Sequence, residues 1–330
     1  MELKIMKYQS KRIKKLILSV GLCACIAVGS AADARAGNIS QTVAKYDSGV
    51  QQALPALKEF YMRANDFQRD VYFDDLLLDP KKEMGLTQDN KDTPLLHKYS
   101  DREINARILA LGLISNYSKA LLQLSDPSKA KTAESDLRSI GNRIGEISRR
   151  LGVIAKAAPL VGAYATTAGE FAGLANKYWT RMKQEAALRE TIREGAPRIA
   201  NLLSLLEADA SVFSEGIYKN AAQRKLNKYM SYYNEQFAQQ PGDGAGSMTA
   251  NRMEFLRRAQ ASAERYNTVS ELNPSAALAR MRKVNQDLLD WATAPKKQPF
   301  DINQLADDID SYLDDVDTIT NAASRIQSTR

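Results

Sequence analysis

The sequence predicts an all-α fold, an elongated antiparallel bundle of long helices with heptad-like seams. Three observations predict it. First, apolar residues recur at alternating three- and four-residue steps in three long runs. The first is Val43, Tyr46, Val50, Ala53, Leu57, Phe60, Ala64, Phe67 and Val71. The second is Ala130, Ala133, Leu137, Ile140, Ile144, Ile147, Leu151, Ile154, Ala158 and Val161. The third is Ile302, Leu305, Ile309, Tyr312, Val316, Ile319, Ala323 and Ile326. This spacing lines one face of a helix. Second, no segment of useful length alternates apolar and polar residues as a half-buried strand does. Third, start and stop residues divide the chain into long segments joined by short turns, the pattern of antiparallel helices.

The elements follow in order. Residues 1–36 read as a secretory signal peptide. Lys4, Lys7, Lys11, Arg12, Lys14 and Lys15 precede an uncharged run from Leu16 to Ala32, and Ala34-Arg35-Ala36 supplies the small-x-small cleavage pattern. Cleavage is expected after Ala36, giving a periplasmic or secreted protein. Two other readings compete: Leu22-Cys23-Ala24-Cys25 as a lipobox that lipidates Cys25, and an uncleaved anchor, for which the run is short of the ~20 residues that span a bilayer.

A main helical region is expected over 37–240. Its first helix spans about 41–78, with Pro55 on the outer face, and stops at Asp79-Pro80. Ser100-x-x-Glu103 is a capping box that opens a helix to about 124. Asp126-Pro127 caps and starts the next, to about Ala157. Pro159 then kinks or ends it, and a further helix runs to Glu194 with Gly195 as its stop. Pro197 starts a helix that reaches Gln239. Residues 241–248, beginning Pro241-Gly242-Asp243-Gly244, form a flexible linker. Helices at about 249–272, from Pro274 to near Trp291, and from Asp301 onward are expected to pack on the main region.

Charge and cysteine content narrow the function classes. The chain carries a formal net charge of +7, which first suggests a nucleic-acid partner. Residues 1–36 hold seven basic and two acidic residues, so only +2 remains beyond Ala36. Both cysteines leave with the leader. The remaining chain has no disulfide or thiol chemistry, and one His excludes any site built on two. No nucleic-acid partner is expected.

Three constellations are candidate interaction features. Lys219, Arg224, Lys225 and Lys228 interleave with Tyr229, Tyr232 and Tyr233, and further Arg and Lys follow up to 297. Such a mixture stacks bases or contacts phosphates, and in an envelope it suits anionic lipid. The plainer reading is pairing with the acidic last helix. That helix carries seven Asp between 301 and 317, Asp307, Asp308, Asp314 and Asp315 among them, opposite its apolar seam. A solvated face accounts for them, and no EF-hand order is present. Asp66, Asp70 and Asp74 form a smaller row read the same way. Gly162, Ala165, Gly169 and Gly173 form a small-residue stripe that lets helices approach closely, in a core or in a membrane. His97, the only imidazole, stands outside any hydrolase motif, and no glycine-rich phosphate loop or cofactor motif occurs. No catalytic, metal or cofactor site is expected.

The stretches from Tyr99-Ser100-Asp101 through Leu121 and from Glu194-Gly195-Ala196-Pro197 through Asp209 resemble a group of exported, all-helical bacterial proteins without an assigned activity. The resemblance implies a helical fold and an envelope setting, and it transfers no catalytic residue. The expected function is a non-enzymatic interaction or scaffold protein of the bacterial envelope, acting on a protein partner or on itself. A secreted membrane-active protein and a component of a secretion or conjugation apparatus are the alternatives.

Overall fold

The computed structural model describes residues 31–78, 99–126, 130–157, 162–178, 184–235, 250–295 and 302–328. The chain divides into two units, Met1–Asn38 and Ile39–Arg330. Within the first, residues 31–38 are helical. The basic and apolar parts of the leader up to residue 30, Cys25, His97, Pro159 and the 241–248 linker lie outside the described residues.

The fold is all-helical, with no strand among the described residues. The α-helices in chain order are α1 (Ala31–Leu78), α2 (Asp101–Ser125), α3 (Ala130–Ala157), α4 (Gly162–Tyr178), α5 (Gln184–Val212), α6 (Asn220–Tyr233), α7 (Ala250–Glu271), α8 (Pro274–Thr293) and α9 (Ile302–Ser328). A π-helical segment, Phe213–Lys219, joins α5 to α6. α1 begins some ten residues before the onset that the apolar pattern marks.

Local chemistry sets several of these ends. At the start of α2 the Glu103 backbone N–H donates to Ser100 Oγ, and the Ser100 N–H donates to Glu103 Oε2 at 2.8 Å. The predicted capping box is therefore formed on both sides. Asn273 caps α8 by accepting from the Ala276 N–H, with Pro274 at the first helical position.

The three apolar runs line one continuous core with buried residues of the other helices, among them Leu111 and Leu121 of α2, Leu202 and Leu206 of α5 and Leu278 and Leu288 of α8. From Val43 to Val71 every seam residue of α1 is buried, and so are Leu305, Ile309, Tyr312, Val316 and Ile319 of α9. On α3, Leu137, Ile140, Ile144 and Leu151 are buried, while Ile147 and Ile154 pack at its margin. Each buried Leu or Ile contributes roughly 1.5–3 kcal/mol relative to exposure. Pro55 is exposed on α1, as its outer-face position requires. α5 packs on α8, α2 and α4; α3 on α2 and α4; α7 on α6 and α9. Hydrogen bonds tie α1 in: Tyr61 Oη donates to the Leu206 carbonyl and Tyr218 Oη to that of Phe60.

Two sequence expectations are corrected. Gly195-Ala196-Pro197 is not a helix boundary; α5 passes straight through it. Gly195 serves packing instead. A Cβ there would lie 2.9 Å from Tyr117 Cε2 and 3.2 Å from Phe171 Cε2. Pro197 has no N–H to donate to the preceding turn, and side chains take up nearby carbonyls. Arg198 Nη1 donates to the Glu194 oxygen, and the buried Asn285 Nδ2 donates to that of Ala196 at 2.8 Å. The second correction lies at 213–219, where the expected continuous α-helix widens to π geometry. The wider turn aims Phe213, Ser214, Ile217 and Tyr218 all inward. Ser214 Oγ then reaches the Leu272 carbonyl at 3.0 Å.

Candidate functional site

The basic and tyrosine-rich stretch on α6 is turned into the fold. Lys225 pairs with Asp74 of α1, and Tyr229 is buried with its hydroxyl donating to Asp74 Oδ1 at 2.9 Å. Burial first, then the Asp74 charge, push the Tyr229 phenol up to about 12. Tyr232 stacks on Phe255 with ring centroids 4.7 Å apart. Tyr233 Oη accepts from Arg252 Nε and Nη2 at 3.0 and 2.8 Å. Lys219 pairs with Glu215 one turn back, Lys228 is half-buried, and Arg224 is exposed. One turn up on α1, Asp70 meets Arg265 of α7 at 3.5 Å. Asp74 and Asp70 of the acidic row on α1, read as a solvated face, thus seat α6 and α7, while Asp66 pairs with Arg69 on α1 itself at 2.5 Å.

The acidic face of α9 is used in part. Asp308 pairs with Lys283, Asp315 with Arg280 at 2.5 Å, and Asp310 with Lys45 at 2.9 Å. Asp307 and Asp314 are exposed. The basic stretch therefore splits. Its α6–α7 half meets α1; in its α8 half Arg280 and Lys283 meet α9, while Arg282 meets Glu207 of α5 at 3.1 Å. The exposed pairs among these, such as Lys45–Asp310, contribute about 0–1 kcal/mol each, so they steer register while the apolar seams hold the helices.

The small-residue stripe on α4 does not set close packing. A Cβ at Gly162 or Gly173 would meet nothing within 4 Å, and at Gly169 only Ser148 Oγ at 3.7 Å. Gly169 and Gly173 are exposed and Ala165 is half-buried, while Tyr164, Ala168 and Phe171 face the core. Close approach occurs at Gly195 and at Gly49, where a Cβ would lie 2.6 Å from Tyr312 Cε1. No described helix is long and apolar enough to cross a membrane.

Sequence reading missed two features. The first is a part-buried ion pair. Arg107 of α2 donates from Nε to Asp209 Oδ2 at 2.6 Å and from Nη2 to Oδ1 at 3.2 Å, and its Nη1 donates to the Glu103 carbonyl at 2.8 Å. Its guanidinium lies over Phe213, 4.9 Å from the ring centroid, with Tyr61 and Tyr99 within 6 Å. Tyr164 Oη donates to Asp209 Oδ2 at 2.9 Å. Burial, reinforced by Asp209, holds that phenol above its usual range, so it stays a neutral donor.

The second is an open cleft between α1, α2 and α3. It consists of two adjoining cavities of about 390 and 460 Å³ that share Asn116 and Arg143. The smaller one is lined by Lys58, Lys119 and Arg143 with Gln51, Ser115 and Asn116, and no carboxylate lines it. Among the described residues none of these three cations is ion-paired. The polar floor is fixed from behind. Ser115 Oγ donates to Gln51 Oε1 at 3.0 Å, Gln51 Nε2 donates to Asp47 Oδ1 at 3.0 Å, and Ser118 Oγ donates to the same oxygen at 2.6 Å. Asn116 Nδ2 is pinned by the Gly112 carbonyl at 2.7 Å. The larger cavity adds the apolar Leu109 and Ile147 and the Arg150–Glu146 pair, 2.7 Å apart. Such a cleft can attract and orient an anion.

Among the described residues no group of three or more His, Cys, Asp or Glu is arranged to hold a metal ion. Comparison of the chain with protein-family models, curated proteins and solved structures gives no match.

Proposed function

We propose that this is a non-enzymatic interaction protein of the bacterial envelope. On this reading its long helices form an antiparallel bundle with heptad-like seams, and its partner face is the cleft between α1, α2 and α3. One contrast carries the reading. The charged rows that stand out in the sequence are largely spent on neighbouring helices, whereas Lys58, Lys119 and Arg143 share the smaller cavity of an open cleft, with no carboxylate in its lining. Unneutralised cations in a concave, amide-lined surface favour binding over bond-making, because no nucleophile–base pair accompanies them. The envelope setting rests on the basic, apolar, small-x-small leader. The partner is a protein of that compartment or a second copy of the chain.

In-cell crosslinking followed by envelope fractionation tests this. Wild-type protein is expected in the envelope fraction with discrete crosslinked products. Those products should disappear in a Lys58→Glu/Arg143→Glu variant that still folds. Persistence of every product in that variant overturns the cleft as partner face, and recovery of the protein from the cytosol overturns the compartment.

A further inference from the structure

We propose that the α1–α2–α3 cleft binds a phosphate monoester carried on a polyol or sugar body. The inference rests on the reading of the cleft as the binding face and goes further by naming the chemistry of what enters it.

Charge matching selects the headgroup. Lys58, Lys119 and Arg143 line one cavity with no acid among the lining residues. A carboxylate offers one negative charge and leaves two cations facing each other. A phosphate monoester carries about −1.5 to −2 at neutral pH and three acceptor oxygens, enough to engage all three. Arg143 offers a planar fork for two of those oxygens, while the two lysines act as point charges. The neutral wall is held still but adds no donor from Gln51 or Ser115: the Ser115 hydroxyl donates to Gln51, and the Gln51 amide donates to Asp47 and Ser118, so the three cations carry the recognition of the phosphate.

The second cavity selects the body. It adjoins the first through Asn116 and Arg143 and presents Ser139 and Asn142 beside Leu109 and Ile147. Amide and hydroxyl groups interleaved with apolar side chains suit the alternating faces of a polyol or sugar. Its single carboxylate, Glu146, is held by Arg149 and Arg150, which keep it below the usual carboxylate range. That end of the cleft therefore does not repel an anion.

Binding is measured on the full chain with two probes, glycerol 3-phosphate in solution and vesicles of phosphatidylcholine with or without phosphatidic acid. Wild-type protein is expected to bind one of them. Lys119→Gln and Arg143→Gln should each weaken that binding about tenfold, the scale of one lost charged hydrogen bond. Arg224→Gln, an exposed cation outside the cleft, is the control and should leave it unchanged. Binding of the soluble probe alone assigns the ligand to the free pool, and binding only of phosphatidic acid vesicles assigns it to a lipid headgroup. The proposal fails if neither probe binds, or if all three variants behave alike. Lys58→Gln serves as a second variant should either of the first two not fold. If phosphate binding fails while the cleft still governs crosslinking in cells, the ligand class falls and the interaction reading stands. If phosphate binding is cleft-dependent while crosslinks ignore the cleft, the interaction reading falls alone.

Discussion

Arg107 and Asp209 form a bidentate ion pair between α2 and α5, with the guanidinium over the ring of Phe213. Arg107 is 9% exposed at its side chain and Asp209 24%. Attraction between two such groups is offset by the cost of removing them from water, so the pair adds little net stability beyond a matched apolar replacement. Losing one partner is different, because the other charge stays in place uncompensated. Arg107→Met and Asp209→Leu are therefore each expected to cost about 3 kcal/mol, while the double variant costs less than either single change. Urea unfolding of the three variants checks this. A double variant whose loss equals the sum of the singles removes the coupling.

The same pair shows how much of the fold was legible. The seams of α1, α3 and α9 were read directly from apolar spacing, because burial of a helix stripe leaves a periodic trace. Arg107 left a trace too. It stands with Ile104, Leu111 and Ile114 on one stripe of α2, and Asp209 stands with Leu202, Leu206 and Phe213 on one stripe of α5. A lone charge on each of two apolar stripes is the sequence signature of a part-buried pair. The cleft left none. Lys58, Lys119 and Arg143 come from three helices, and each reads as an ordinary outward cation until packing brings them to one cavity. For the α6 lysines and tyrosines the sequence points to the wrong partner: the plainer reading pairs them with the acidic last helix, yet Lys225 and Tyr229 meet Asp74, some 150 positions away on α1.

Glycine positions separate packing from mere flexibility. Gly195 sits against the rings of Tyr117 and Phe171, so Gly195→Ala forces those rings or the α5 backbone to move. The expected loss is about 1–3 kcal/mol, the cost of overpacking a filled core. Gly173 is an exposed glycine inside α4 with open space around it. Gly173→Ala should stabilise by up to about 1 kcal/mol, since alanine restricts the unfolded chain and favours helix. Thermal melts of the two variants should move in opposite directions. A destabilised Gly173→Ala protein would show that the stripe is packed against something after all.

A pH response is built into the junction of α8 and α9. Asp287 and Asp308 face each other within hydrogen-bonding reach, and Lys283 pairs with Asp308. Partial burial, followed by the hydrogen bond and charge of Asp308, raises the Asp287 carboxyl to about 6. Asp308 keeps its charge, held below the usual range by Lys283, Gln304 and the proton on Asp287. Below about pH 6 the two carboxyls thus hold one proton between them. The folded pKa of Asp287 lies above the ordinary carboxylate value, so between about pH 4 and 6 the folded state binds more protons than the unfolded chain. Its contribution to stability is present at the acid end of this window and is lost as pH rises through 6. Asp287→Asn carries a permanent donor toward Asp308 and removes the titration. The variant should be more stable than wild type at pH 7, with the difference shrinking as pH falls toward 4. Urea midpoints measured across that range read this directly, and parallel profiles for the two proteins would show that no proton is shared.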